Sequence, residues 1–287
     1  MALDLHAHST FSDGLLSPQA LCALAQKKQV HVIALCDHDT TDGLFPMAQA
    51  AQELVQQGYP LRSIASVELS AGEDGRTHIL GYGVDPAHEA LRASCAALRH
   101  KRASRGLQMV EALRDIGIEV PQALLPSMDS QGQAFGRPHI ARALIHMGIV
   151  HTVDQAFDRY LNEGRPGYVP LAHQTASEAV ALLREAGAVP VLAHPLRLHL
   201  SPELLEPLIL SLRDAGLMGV EVFHPSAGRR DGHHLLGIAQ RNGLLVTGGS
   251  DFHGDRGARA KLGGLPTGWQ HWQEDLAALE EAMARCG

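Results

Sequence analysis

The chain has 287 residues, 45% of them hydrophobic and 19% charged, with a formal net charge of -7 and a pI near 6.2. That length can bury the core of one barrel-sized domain or two smaller ones. The acidic balance argues against a broad nucleic-acid or membrane surface, so no DNA-binding face, membrane association or obligate protein partner is expected.

No apolar run approaches the roughly 18 residues of a membrane span. Cys22, Cys36, Cys95 and Cys286 are far apart with no C-x-x-C spacing, which predicts free thiols and a cytoplasmic setting. The outlier is histidine, present 18 times. Residues 2–8 alternate apolar and polar side chains and predict a short strand with His6 and His8 on one face. Asp13 follows in a polar loop ending at Gly14, placed to reach back toward an ion held by that pair. Ser17-Pro18 opens a helix to about residue 28, with the serine as N-cap. Residues 30–36 are apolar nearly throughout, as in a parallel strand covered on both faces, and end at Asp37-His38-Asp39. Asp42-Gly43 reads as turn and helix cap before a helix over 44–57. A strand over 61–69 carries Glu68 near its end, and a turn at Glu73-Asp74-Gly75 leads into a returning strand over 78–82.

The rhythm then changes. A long helical pattern covers 86–117, with Lys101, Arg102 and Arg105 in its middle, read as a solvated face or a track for an RNA backbone. Polar residues at 127–133 precede Phe135-Gly136-Arg137-Pro138-His139 and two short helical patterns, 140–147 and 153–161. With no convincing strand, 99–170 is expected to be a helical insertion, a cap over a domain made of 1–98 and 171–287. From 175 the α/β alternation resumes, with helices over 175–186, 202–215, 232–241 and 272–285. Strands over 188–192, 219–223 and 244–247 end at His194-Pro195, His224-Pro225 and Gly249-Ser250-Asp251-Phe252-His253. Ligand-type side chains therefore stand at or just past successive strand ends, the face where parallel β/α barrels build their sites.

The set His6-x-His8, Asp13, Asp37-His38, Glu68, His78, His194-Pro195 and Asp251-x-His253 resembles the PHP (polymerase and histidinol phosphatase) family. The segment from Phe135 to Ala141, and His224-Pro225 after Glu221-Val222-Phe223, resemble its subgroup of 3′,5′-nucleoside bisphosphate phosphatases and the exoribonuclease RNase AM. The resemblance implies an α/β fold, a distorted (β/α)7 barrel holding up to three divalent ions. His6, His8, Glu68 and Asp251 would hold the first; Asp13, His38 and His253 the second; and Glu68 would bridge to a third on His78 and His194. Mn²⁺ is the expected ion, with Zn²⁺ or Fe²⁺ compatible with the same mixed donors.

Closely spaced cations lower the pKa of water and neutralise phosphate oxygens, so metal-dependent phosphoester hydrolysis is the expected chemistry. The expected substrate is a nucleotide or short RNA: release of the 3′-phosphate from 3′,5′-nucleoside bisphosphates, or trimming of RNA from its 5′ end. A histidinol-phosphate-type phosphomonoesterase is the runner-up. Asp13, His224 and His253 are the candidate catalytic residues, with His224 favoured as proton donor to the leaving oxygen. Arg137, His139, Arg197 and His224 are the candidate substrate contacts, since a guanidinium grips phosphate through forked hydrogen bonds. From the residues alone the expectation for Arg137 is a cap on a helix starting near Pro138; the resemblance favours the phosphate clamp. Phe135 and Tyr168 could stack a base, though core packing is the expectation for each.

Overall fold

The computed structural model describes residues 2–72, 75–125, 136–171, 174–254, 260–264 and 269–287. The strands are β1 (Ala2–Ala7), β2 (Val30–Leu35), β3 (Arg62–Ala71), β4 (Thr77–Tyr82), β5 (Val189–Leu192), β6 (Gly219–Phe223) and β7 (Leu245–Gly248). The helices are α1 (Pro18–Lys27), α2 (Leu44–Gln56), α3 (Glu89–Asp115), α4 (Arg137–His146), α5 (Val153–Ala156), α6 (Ala176–Glu185), α7 (Pro202–Asp214), α8 (Arg229–Arg241) and α9 (Trp272–Cys286). Local chemistry sets several of the ends. Ser17 Oγ accepts the Ala20 amide at the start of α1, and Thr175 and Glu178 form a reciprocal capping box at α6.

Among the described residues the sheet has seven strands in chain order, β1 through β7. Neighbours are parallel except that β4 runs antiparallel to both β3 and β5. That reversed strand is the distortion of the expected barrel. The sheet closes on itself: Ala7 bridges Phe252, and the His8 amide donates to the Phe252 carbonyl at 3.0 Å. One apolar layer, including Ile33, Leu35, Val67 and Leu69, packs outward against α1, α2, α6, α7 and α8. A second, including Leu3, Leu5, Val32, Ala34, Leu80 and Val191, fills the barrel and is plugged by Trp269 and by α9 through Leu276 and Leu279.

Simple alternation does not describe β1. Asp4 pairs with Ile33 and Ala7 with Leu35, so Leu5 and His6 together stand opposite the single residue Ala34. This β-bulge resets the phase of the strand. Leu3 and Leu5 face the barrel interior below the bulge, and His6 and His8 face the same interior above it. In an unbulged strand His6 would follow Leu5 onto the opposite face.

The stretch 99–170 has a core of its own, in which Met109, Leu113, Ile140, Leu144, Val150 and Leu161 are buried together. The division at 98/99 falls inside α3, a continuous helix of 27 residues, or about 40 Å. Its Leu91 and Cys95 belong to the barrel layer and its Met109 and Leu113 to the insertion core. Other differences from expectation are local. Helix α8 begins at Arg229 rather than 232; at the expected Asp42-Gly43 cap of α2 the N-cap position is taken by Gly43. A 3-10 turn over Pro195–Leu198 was not expected, and the helical pattern over 153–161 is met by α5 followed by a π turn over Phe157–Leu161. Phe135, the polar stretch 127–133 and the turn residues Glu73 and Asp74 lie outside the described residues. Leu144 is fully buried in the insertion core. Leu144→Ala is expected to cost about 2–5 kcal/mol, read as a lowered denaturation midpoint.

Candidate metal centre

Glu68 is fully buried on β3 and is the hub of the strand-end cluster. Its two carboxylate oxygens face different imidazoles. Oε2 lies 3.2 Å from His6 Nε2, 3.3 Å from His8 Nε2 and 3.2 Å from His38 Nδ1. Oε1 lies 2.7 Å from His78 Nδ1 and 3.0 Å from His194 Nε2. Asp251 Oδ1 faces His8 Nε2 at 3.1 Å, and Asp13 Oδ1 faces His253 Nε2 at 3.1 Å. These side chains form three groups whose donor atoms converge closely enough for one ion each: His6, His8, Glu68 and Asp251; His8, Asp13, His38 and His253; and His38, Glu68 and His78. The first matches the expected set. In the second His8 joins the three expected residues. In the third His38 stands where His194 was expected, while His194 approaches the same Glu68 oxygen as His78.

Three further buried carboxylates shape this face, and none of them was assigned a role from the sequence. Asp4 accepts from the Ser250 amide at 2.8 Å, the Ser250 hydroxyl at 2.5 Å and the Gly263 amide at 2.8 Å. Asp37, cited only as part of the motif, accepts from the Ser9 amide and hydroxyl and from the Ser12 hydroxyl. Glu221 on β6 accepts from the His194 amide at 2.7 Å and faces His6 Nδ1 at 2.9 Å. Such a carboxylate behind a ligand histidine fixes its tautomer and ring orientation. A usable signal existed: a charged residue inside the apolar strand Gly-Val-Glu-Val-Phe must have a buried partner. His194 and Asp251 both have left-handed backbone, φ 26° and 53°, a strain typical of functional positions that the surrounding structure over-determines.

The donors fit a divalent ion. His8 Nδ1 and Nε2, Asp13 Oδ1, His38 Nδ1 and His194 Nδ1 are buried without a hydrogen-bond partner. Atoms so placed are costly unless something else satisfies them. Burial alone would raise Glu68, Asp13 and Asp251, but the surrounding histidines hold all three well below the usual carboxylate range. Burial drives His38 well below the ordinary histidine value and His194 down to about 4, so both present a neutral lone pair. Burial opposes a charge on His253, but Asp13 and Asp251 prevail and raise it to about 10. His6 is likewise raised against its burial by Glu221, Glu68 and Asp251. Without an ion, the carboxylates thus keep two of the ligand imidazoles protonated.

The expected substrate contacts gather at the rim. The Arg142 guanidinium donates to the Asp13 carbonyl at 2.7 Å, docking α4 onto the metal loop. Arg137, at the first turn of α4, lies over the Phe157 ring at 5.5 Å. Burial, then the like charges of Arg105 and Arg102, lower it to about 10, so it stays cationic at neutral pH. His139 takes the capping role instead, its Nδ1 accepting the Gly136 amide at 3.3 Å. Arg197 donates to Asp251 Oδ2 at 2.6 Å, and His224 Nε2 lies 3.5 Å from the same oxygen. The Ser226 amide donates to His224 Nδ1 at 3.0 Å, which leaves the ring proton of a neutral His224 on Nε2.

The basic run on α3 is neither a uniformly solvated face nor an open track. Arg102 pairs with the buried Asp39 at 2.9 Å and bonds Ser70, and Arg105 donates to the Val169 carbonyl and lies over the Tyr168 ring at 5.3 Å. Only Lys101 of the three is exposed.

The bridging position of Glu68 makes Glu68→Ala the most damaging single change. It is expected to reduce bound divalent metal to about one ion per chain by elemental analysis, since only the group of His8, Asp13, His38 and His253 lacks Glu68, whereas His78→Ala loses at most one. Metal uptake is also expected to release protons near pH 7 and to tighten as pH rises, because His6 and His253 must give theirs up. Calorimetry in two buffers of different ionisation enthalpy counts those protons; a count of zero would contradict the assigned charges.

A PHP-domain model matches residues 4–110. The chain is 38% identical over 253 residues to a 3′,5′-nucleoside bisphosphate phosphatase of Chromobacterium violaceum, covering 88% of this chain and 87% of that relative. It is 33% identical over 279 residues to the 5′-3′ exoribonuclease Rnm of Salmonella typhimurium, covering 94% of each. A solved structure from Bifidobacterium adolescentis, described as a metal-dependent phosphoesterase, superposes with a TM-score of 0.83 at 33% identity, covering 96% of this chain and 95% of that one. With similarity over nearly the whole length, and ligand groups converging on Glu68 at the mouth of a seven-stranded barrel, the chain belongs to the PHP-domain family of metal-dependent phosphoesterases.

Proposed function

We propose that this chain hydrolyses the 3′-phosphate of 3′,5′-nucleoside bisphosphates, giving the nucleoside 5′-monophosphate and phosphate. The same centre would also trim short RNA from its 5′ end. The observation that carries this reading is the docking of α4 on the Asp13 loop through Arg142, with Arg137 in the first turn of that helix. A substrate with two phosphates, one at the metal groups and one beside Arg137, uses both features. A simple phosphomonoester uses only the first. The similarity to relatives named as a bisphosphate phosphatase and an exoribonuclease supports the same choice.

His6, His8, Glu68, Asp251, Asp13, His38, His253 and His78 would hold the ions, and Mn²⁺ suits their mixed imidazole and carboxylate donors. Bound there, divalent ions supply a lowered pKa for water and positive charge opposite the phosphate oxygens. The residues do the rest. Arg137 orients the second phosphate through paired N–H donors. His224 presents its Nε2 proton toward the space beside Asp251 Oδ2, where the departing ribose oxygen can take it as the P–O bond breaks. Arg197, drawn to Asp251 and half exposed, can exchange that carboxylate for a substrate oxygen. The segment 99–170 acts as the substrate cap. The four cysteines are free, which supports a reducing, cytoplasmic setting, and among the described residues no helix is long and apolar enough to cross a membrane.

The test is phosphate release with Mn²⁺ from 3′,5′-adenosine bisphosphate, 5′-AMP and histidinol phosphate, beside trimming of a 5′-phosphorylated RNA. The bisphosphate is expected to be turned over at least tenfold more efficiently than either monoester, and a preference for histidinol phosphate would reject the proposal. Arg137→Ala is expected to raise KM for the bisphosphate about 10- to 100-fold, the worth of a charge-assisted contact. His224→Ala is expected to lower kcat by about 10²- to 10⁴-fold, as for loss of a general acid. Unchanged turnover at saturating substrate would remove His224 from the proton transfer.

A further inference from the structure

The bulge in β1 takes one peptide group out of the ladder, the one joining Leu5 to His6. Each end of it is held by buried side chains. The Leu5 carbonyl accepts from the Tyr82 hydroxyl at 2.9 Å and from Cys36 Sγ at 3.4 Å. The His6 amide donates to Asp4 Oδ1 at 3.3 Å. Tyr82 is fully buried and comes from β4, the strand that runs antiparallel to both its neighbours.

We propose that Tyr82 is a positioning residue for metal capture: its hydroxyl holds the Leu5–His6 peptide in the bulged orientation that turns His6 toward Glu68 and Asp251. In a regular ladder the strands flanking β1 on its two sides would satisfy one end of this peptide each, and His6 would pair with Leu35 on the outer, helix-covered face. The bulged register gives up those ladder bonds and needs replacements. A carbonyl buried at the bulge is costly unless bonded, and that cost falls on the bulged register alone. Tyr82 removes it. The thiol of Cys36 is too weak a donor to do so by itself. Glu221 then completes the orientation from the far side of the ring, through His6 Nδ1. A tyrosine that contacts neither ion nor substrate thereby selects the register in which the first ligand group exists.

The inference rests on His6 being a ligand, and the experiment separates the two. Mn²⁺ binding is measured by equilibrium dialysis on the metal-stripped full chain, for the native protein, Tyr82→Phe and Tyr59→Phe. Tyr59 is the matched control, because its hydroxyl donates to the Val30 carbonyl at 2.7 Å, at the opposite end of β2 from His38. Tyr59→Phe is expected to bind as the native chain does. Tyr82→Phe is expected to bind its tightest ion about 10- to 100-fold more weakly, the usual effect of losing a group that orients a ligand. A Tyr82→Phe isotherm within twofold of the native one, whatever its thermal stability, would overturn the proposal. Were Tyr82→Phe to yield no folded protein, the double variant Tyr82→Phe/Cys36→Ser, whose serine hydroxyl stands in the thiol's place 3.4 Å from the same carbonyl, would be measured instead: binding within a few-fold of the native chain is expected, and a folded double variant that binds about 10- to 100-fold more weakly would overturn the proposal. A native chain that takes up no Mn²⁺ would instead overturn the reading of His6 as a ligand.

Discussion

The structure depends on keeping one buried carboxylate charged. Glu68 has no access to water, and an isolated charge in that setting costs several kcal/mol or more. The cost is offset by histidines that reach it from β1 and its C-terminal end, from β4 and from the loops after β2 and β5. No local segment could supply them. The barrel has to close so that these strand ends meet, and the reversal of β4 brings His78 to the same carboxylate from an antiparallel neighbour. Charge and topology are therefore solved together, and the arrangement that satisfies Glu68 also converges on metal ions.

The buried carboxylates divide into two kinds by what surrounds them. Asp4 and Asp37 are occupied by backbone amides and serine hydroxyls, so their lone pairs are spoken for and they act as framework. Asp13, Glu68 and Asp251 are faced by imidazoles, groups that can turn a lone pair toward an ion. Glu221 stands between the kinds, with one oxygen on a backbone amide and the other on a ligand ring. Residue type is the same throughout; the neighbours decide the role. The same holds among the arginines, since Arg102 and Arg105 tie α3 down while Arg137 is left at the rim among like charges.

Helix α3 joins the two parts of the molecule mechanically. Its first turns pack on the barrel layer and its last on the insertion core, and Arg99 and Arg102 grip Asp39, the residue after His38. Asp39 in turn accepts the Ser70 amide and gives its own amide to the Glu68 carbonyl. A continuous chain of buried contacts therefore runs from the insertion to the backbone of two candidate ligands.

Much of this was legible in the chain. The α/β rhythm, the helical stretch at 99–170 and the ligand-type residues at strand ends follow from periodicity and spacing, which are local properties. So does the cap at Ser17, whose oxygen needs only the amide three residues on. What could not be read needed partners distant in sequence. The bulge at Leu5 and His6 exists because Tyr82 and Asp4 satisfy the peptide it frees, and nothing in residues 2–8 announces it. The pairing of Glu221 with His6, the exchange of His38 for His194 in the third group and the anchoring of Arg102 are likewise long-range events. The sequence by itself determined which chemistry is present and roughly where along each strand it lies. The tertiary structure decided which oxygen faces which ring, because buried charges take their partners from whatever the closed barrel brings within reach.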